Sequence, residues 1–139
     1  MNSAKNKKYQ MVCKSSIRSK ERNDCCVKAL SMAGRVTYNV AHKICKENGR
    51  VDGKGMYDWQ LHNSLRTMGF ELETVENLVQ KNGSRYTPKT IGSKLKTGYY
   101  IVYVNGHVLP VINGEVFDWT NNRKHRVNLA FKVVRKRSK

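Results

Sequence analysis

The stretch that decides the fold is 99–119, which reads YYIVYVNGHVLPVINGEVFDW. Its first six residues are the most apolar run in the chain, and each of its Asn-Gly pairs suits a two-residue hairpin turn. We therefore predict antiparallel strands at 99–104, 107–112 and 115–119, joined by tight turns. A last strand is predicted at 127–134.

The part of the chain that precedes this sheet carries helix signals. We predict helices at 25–32, 38–47 and 57–68, because apolar residues recur at helical spacing and a glycine or an Asn-Gly pair follows each one. Shorter predicted elements are strands at 9–13 and 70–75, a loop at 14–22, and a helix that begins at Thr87-Pro88. Helices followed by a meander indicate an α+β fold, with N-terminal helices packed on a C-terminal antiparallel sheet.

Charge is concentrated near the two ends of the chain. The net charge is +17; residues 1–22 carry +6 (seven Lys/Arg, one Glu) and residues 120–139 carry +8 (eight Lys/Arg, no acid). We predict a basic flexible tail at 1–8, one domain at 9–134 and a basic tail at 135–139. Basic ends attract polyanions, so RNA, DNA or an acidic host protein are the expected partners. The predicted contact residues are Lys5, Lys7, Lys8, Arg123, Lys124, Arg126, Arg135, Lys136 and Arg137.

No apolar run in the sequence is long enough for a signal peptide or a membrane span. The four cysteines are therefore expected as free thiols in a reducing compartment, which indicates a cytoplasmic protein or one packaged in a virion. His42 and Cys45 share one predicted helix face, but a second ligand pair with zinc-finger spacing is missing. We expect no metal and no cofactor.

A candidate nucleophile lies at the start of the first predicted helix. Asp24 is a suitable N-cap, and Cys25 and Cys26 follow in the first turn. Free N–H groups and the helix dipole stabilise a thiolate at this position. The alternative is that both cysteines act as small buried hydrophobic residues.

A candidate base and its orienting group lie in the predicted meander. His107 opens a strand after Asn105-Gly106, whereas His42 and His62 lie on predicted helices and His125 lies in a basic loop. The Asn113-Gly114 turn places His107 and Asp118 as diagonal neighbours on one face of the sheet. A carboxylate there can fix the tautomer of the imidazole. The alternatives are an exposed histidine beside a turn and a polar strand end.

The order of Cys25, His107 and Asp118 resembles that of papain-like cysteine peptidases. Residues 23–30 are similar to the nucleophile motifs of bacteriocin leader peptidases and of ovarian-tumour-type deubiquitinases. The chain also resembles small bacteriophage-encoded proteins of this fold, with Gly49-Arg50 in the middle and Gly106-His107 late in the chain. The resemblance implies a viral thiol hydrolase with Cys25 as nucleophile, His107 as base and later acid, and Asp118 as orienter. The substrate would be a leader peptide, an isopeptide or another amide.

The chain departs from the pattern of these families at three positions. Ser19 stands where they place an oxyanion-stabilising Gln, which leaves Asn23 as the candidate donor beside the Cys25 N–H. Cys26 replaces a glycine, so Cys26 remains an alternative nucleophile. Pro110 predicts an edge strand or a bulge. The alternative function is a basic nucleic-acid-binding, host-interaction or virion protein on the same fold, with weak or lost catalysis.

Overall fold

The structure, a computed structural model, describes residues 6–136. Four α-helices come first and five strands follow. The helices are α1 (Lys7–Arg18), α2 (Cys25–Ala33), α3 (Tyr38–Glu47) and α4 (Asp58–Thr67). The strands are β1 (Phe70–Thr74), β2 (Tyr99–Val104), β3 (His107–Ile112), β4 (Glu115–Val116) and β5 (Val127–Arg135). This arrangement confirms the predicted α+β class, with helices before strands.

The strands form one antiparallel sheet in the order β1-β5-β2-β3-β4. Val104 pairs with His107 and Ile112 with Glu115, so both Asn-Gly pairs make two-residue hairpins in the predicted register. The last strand, β5, pairs with β2 on one side and with β1 on the other. Strand β1, which precedes the meander, is thereby joined to the last strand, β5.

Each face of the sheet is covered by a different part of the chain. The helices pack on one face, where Ile101 and Val108 contact the core around α2. Segment 76–97 covers the other face and inserts Ile91 and Leu95 against Val102. Seven of the nine residues of α2 are buried, because α2 lies between β3 and the helices α1 and α3.

Strand β4 is shorter than the predicted 115–119. Phe117 N–H donates to the Pro110 carbonyl over 3.2 Å, but proline has no N–H to return the second bond of an antiparallel pair. The ladder therefore ends at Val116, and the chain leaves the strand direction before Asp118. Pro110 itself is buried within β3, between β2 and the point where β4 ends, and not on an edge strand as predicted.

The prediction for the N-terminal segment was wrong. Residues 9–13 and most of 14–22 form helix α1, and the predicted flexible tail is already helical at Lys7 and Lys8. Asn6 caps the helix by accepting from the Tyr9 N–H over 3.0 Å. The face of α1 that packs against α2 carries Tyr9, Val12 and Ser16. Their spacing of three and four residues is that of one face of a helix. Lys5 lies outside the described residues.

Other differences follow from the tertiary contacts. Val40 and Trp59, two apolar residues of the predicted helices, are exposed. Thr87-Pro88 leads into a single 3₁₀ turn, Ile91–Ser93, and not into an α-helix. Arg135 ends β5 and the Lys136 N–H donates to Gly69 O over 2.9 Å, so the predicted tail at 135–139 begins within paired backbone. Arg137 lies outside the described residues.

The longest described helix, α1, has 12 residues, and none of the described helices is long and apolar enough to cross a membrane.

Candidate active site

The structure brings together the three side chains that the sequence singled out. Cys25 is the first residue of α2, His107 is the first residue of β3, and Asp118 follows β4. The Nε2–H of His107 donates to Oδ2 of Asp118 over 2.7 Å, and Cys25 is near enough to His107 for the imidazole to affect the pKa of the thiol. All three line a cleft of about 390 Å³. The packing of α2 on β3 is what places the thiol beside the imidazole.

Asp118 is buried and held in place by its own loop. Its Oδ2 accepts from the Thr120 hydroxyl over 2.6 Å and from the Thr120 N–H over 3.2 Å, in addition to His107. The ring of Trp119 lies 5.2 Å from that of His107, centroid to centroid. The bond from Nε2–H to Asp118 leaves the Nδ1 side of the ring for Cys25. The sequence pattern did not single out Thr120 or Trp119.

The surroundings of Cys25 favour its thiolate. A hydrogen bond from Cys26 lowers the pKa of Cys25; burial opposes this, but bonds from His107 and from the Val108 backbone lower it further, to about 4. An ordinary thiol has a pKa of about 8.5. Cys25 is therefore ionised at neutral pH, which is the form that attacks carbonyl carbon.

The pKa of His107 is raised, whereas that of Cys25 is lowered. Burial lowers its pKa, but the hydrogen bonds to Asp118 and to Cys25 outweigh that effect and raise the pKa to about 9. Between about pH 4 and about pH 9 the pair is thus a thiolate beside an imidazolium. This pair combines a nucleophile with a proton donor for the leaving group.

Cys26 differs from Cys25 in both exposure and acidity. Its side chain points into the core and is not part of the cleft lining. The hydrogen bond to Cys25 and burial raise the pKa of Cys26 above the range of ordinary thiols. Of the two alternative nucleophiles, Cys25 is therefore the one with the favourable environment.

Ser19 and Asn23, the two positions considered for the oxyanion donor, lie in different places. Ser19 ends α1 and lines a separate hollow with Glu21 and His42. Asn23 lines the cleft, in a left-handed backbone conformation with φ of 54°. Its amide donates to Gly53 O over 3.0 Å, and a primary amide has a second N–H to offer. The backbone N–H groups at the start of α2 are further donors.

Asp24 does not cap α2 as predicted. Its Oδ2 accepts from the Ser16 hydroxyl over 2.6 Å and from the Tyr38 hydroxyl over 2.7 Å, and it makes no capping bond. Lys28 lies 3.8 Å from its other oxygen. Asp24 thus ties the start of α2 to α1 and α3 and leaves the first-turn N–H groups uncapped.

A buried ion pair supports the loop that leads to Cys25. Arg50 makes two bonds to Glu21, of 2.8 and 3.1 Å, and both side chains are almost fully buried, at 1% and 3% exposure. Glu21 also accepts from His42 over 2.6 Å and from the Gly53 N–H over 2.9 Å. The bond from Arg50 is the largest cause that lowers the pKa of Glu21 well below its usual range. The pattern Gly49-Arg50 was noted in the sequence, but its partner was not.

The structure does not place His42 beside Cys45, the two residues considered as metal ligands. His42 faces Glu21 and, at 3.3 Å, Asp52, whereas Cys45 is buried in the core. Glu21, His42 and Asp52 are near enough to share an ion. Because Arg50 already neutralises Glu21, this trio lacks the free charge that attracts a cation.

The cleft continues past Gly55 into a second hollow of about 430 Å³. Val51, Met56 and Tyr57 line it, and Val51 and Tyr57 are exposed. A Cβ at Gly55 would meet no atom within 4 Å, so the space beside Gly55 is open. An extended chain that reaches Cys25 therefore has apolar side chains to contact on this side.

The predicted polyanion contacts among the described residues lie in three parts of the chain. Lys7 and Lys8 begin α1, and the Lys8 ammonium donates to Val36 O over 2.6 Å; Arg135 ends β5 and Lys136 follows it. Arg123, Lys124 and Arg126 lie in the exposed loop that follows Trp119. The ring of His125 in that loop meets the Trp119 ring edge-on, with 5.9 Å between centroids.

Comparison of the chain with protein-family models, with curated proteins and with solved structures gave no match.

Proposed function

We propose that the protein is a thiol hydrolase that cleaves an amide or isopeptide bond with Cys25 as nucleophile. The observation that carries this proposal is the grouping of Cys25, His107 and Asp118 in one open cleft, with His107 hydrogen-bonded to Asp118. A nucleophile, a base within hydrogen-bond reach and a group that orients the base form the minimum set for covalent acyl transfer.

The proposed reaction begins when the Cys25 thiolate attacks the carbonyl carbon and a C–S bond forms. The carbonyl electrons move to oxygen, where the Cys25 N–H and the free N–H of Asn23 are the nearest candidate donors. When the C–N bond breaks, the imidazolium of His107 gives its proton to the leaving amine. The product of this half is a thioester on Cys25.

Water completes the proposed cycle. Neutral His107 takes a proton from water, whose oxygen attacks the thioester carbon. The C–S bond then breaks, the thiolate is restored, and the carboxylic acid leaves. Asp118 stays ionised throughout and keeps the ring of His107 oriented.

The arrangement supports a papain-like fold and a peptide substrate as further parts of the proposal. The nucleophile begins a helix, the base begins a strand of the sheet on which that helix packs, and the orienter follows the next strand. The open hollow beyond Gly55 suits an extended peptide with an apolar side chain. A viral source and a site of action in host cytoplasm or virion belong to the same proposal.

The test is the pH dependence of iodoacetamide labelling, with the modified cysteine identified by mass spectrometry. We expect wild-type Cys25 to label fast well below pH 7 and to lose this on His107→Ala, because the imidazolium stabilises its thiolate. His125→Ala is the matched control, an exposed histidine that contacts Trp119 but not Cys25. If the labelling of wild-type Cys25 has its midpoint at about pH 8.5, the pKa of an ordinary thiol, the proposal is overturned.

A further inference from the structure

A surface rich in cations lies on the side of the sheet opposite the helices. We define the outer basic surface as residues 77–97, which follow Glu76, together with 121–126. These segments contain eight Lys/Arg and no Asp or Glu. The eight are Lys81, Arg85, Lys89, Lys94, Lys96, Arg123, Lys124 and Arg126.

Backbone hydrogen bonds join the two segments into one surface. The Lys89 N–H donates to Arg123 O over 3.1 Å, and the Val127 N–H donates to Tyr86 O over 2.8 Å. The Arg85 guanidinium donates to the Asn128 side chain over 2.8 Å, which fixes its direction. Cations that are about 40 residues apart in the chain therefore lie side by side.

The charges of this surface are exposed and unneutralised. Seven of the eight side chains are exposed and Lys94 is partly buried. None of them forms an ion pair with a described residue. In the helical layer, by contrast, Arg50 pairs with Glu21, Lys28 with Asp24, and Lys46 with Asp52.

We propose that the outer basic surface binds the phosphate backbone of a nucleic acid. Phosphodiesters are spaced single charges, and they are held by dispersed Lys and Arg with help from uncharged donors. Asn82 and Thr97 supply such exposed donors here. The surface is also separate from the Cys25 chemistry, since none of the eight cations lines the cleft.

The composition of the surface argues against an acidic protein as the partner. A protein interface has an apolar centre that is poor in lysine. Among the exposed large hydrophobic residues, Val79 is the one within 77–97, and Trp119 belongs to the cleft border. A surface rich in cations and poor in apolar area fits a polyelectrolyte better than a folded partner.

The test compares two variants of the full chain that lose the same charge. The outer variant carries Lys89→Gln, Arg123→Gln, Lys124→Gln and Arg126→Gln, and it keeps Arg85 because of its bond to Asn128. The control variant carries Lys14→Gln, Arg18→Gln, Lys20→Gln and Lys43→Gln, all exposed residues of the helical layer. Anisotropy of a labelled RNA and of a labelled DNA oligonucleotide is measured against NaCl, and circular dichroism checks folding.

The wild type should bind with an affinity that falls steeply with salt. Each lost phosphate contact reduces the slope of log K against log[salt] by about 0.9 for duplex DNA and about 0.7 for a single strand. We expect the outer variant to lose about three units of slope and at least about tenfold in affinity at low salt, and the control variant to lose much less. Equal losses in both variants, no binding by the wild type, or tighter binding of polyglutamate than of nucleic acid would each overturn the proposal.

Discussion

In the proposed reaction Asp118 acts through His107, to which it is hydrogen-bonded. The carboxylate is one of the two partners that keep the imidazolium stable up to about pH 9; Cys25 is the other. The thiolate of Cys25 in turn depends on that imidazolium. A change at Asp118 should therefore move the titration of the base while leaving the nucleophile in place.

Asp118→Asn should lower the pKa of His107 from about 9 toward its ordinary value, because the amide keeps a hydrogen-bonding oxygen but loses the charge. The pH range in which imidazolium and thiolate coexist then narrows from its alkaline side. An NMR titration of the His107 ring measures this directly. Asp52→Asn, a change beside His42, is the control and should leave the His107 titration where it is.

The loop before α2 is held by a buried charge pair rather than by apolar packing. Glu21 and Arg50 connect residues 19–23 to the 50–55 loop, and Asn23 reaches Gly53 across the same junction. Both loops contribute to the cleft, through Asn23 and Gly55. The pair therefore determines where the wall of the cleft lies relative to Cys25.

Arg50→Gln should destabilise the protein by about 3–5 kcal/mol, because it leaves the Glu21 carboxylate buried without its cation. Urea unfolding at neutral pH measures the change. Lys43→Gln, an exposed charge of the neighbouring helix α3, should cost less than about 0.5 kcal/mol.

The Glu21–Arg50 ion pair should make the stability of the folded protein sensitive to acid. The pKa of Glu21 is lowered in the folded state, so its stabilisation is complete above its unfolded pKa of about 4.3 and is lost as pH falls toward the folded value. The urea concentration at the midpoint of wild-type unfolding should decrease as the pH falls below about 4. Glu21→Gln should make this midpoint less dependent on pH. A parallel fall in both proteins would contradict the role of Glu21.

Elements with local chemical signals were predictable from the sequence. Asn105-Gly106 and Asn113-Gly114 dictate their turns, and the predicted register placed His107 near Asp118. The contact itself is made beyond the end of β4, because Asp118 is not part of a strand. Thr37, a residue type that favours caps, precedes α3 and accepts from the Val40 N–H over 3.2 Å. These features depend on a few adjacent residues, which is the range over which sequence patterns are informative.

Elements that depend on distant contacts were not predictable. Helix α1 is mostly polar, and only a few of its residues face the core. Their helical spacing is recognisable only when the position of α2 is known. Glu21 and Arg50 are 29 residues apart, so nothing local pairs them. Segment 77–97 lies within residues 23–119, whose net charge is only +3. Its lack of acidic residues became apparent only when the structure placed it on the face of the sheet opposite the helices.

At the scale of the whole molecule, a net charge of +17 opposes compactness through self-repulsion. We expect the free energy of unfolding to rise as NaCl increases from about 0.01 M to about 0.15 M, where the Debye length falls from about 30 Å to about 8 Å. Urea titrations at each salt concentration test this. The outer variant defined above, with four charges removed, should show a smaller rise; a fall in wild-type stability with salt would contradict the expectation.

The strand order has a consequence for translation. Strand β1 pairs with β5 alone, and β5 lies between β1 and β2, so the sheet cannot close until residues 127–135 have left the ribosome. Cys25 emerges about 80 residues before His107, with no imidazole beside it. A nascent Cys25 is therefore an ordinary thiol. The Cys25 thiol gains the environment that lowers its pKa only once the strand that carries His107 has been synthesised and has packed on α2.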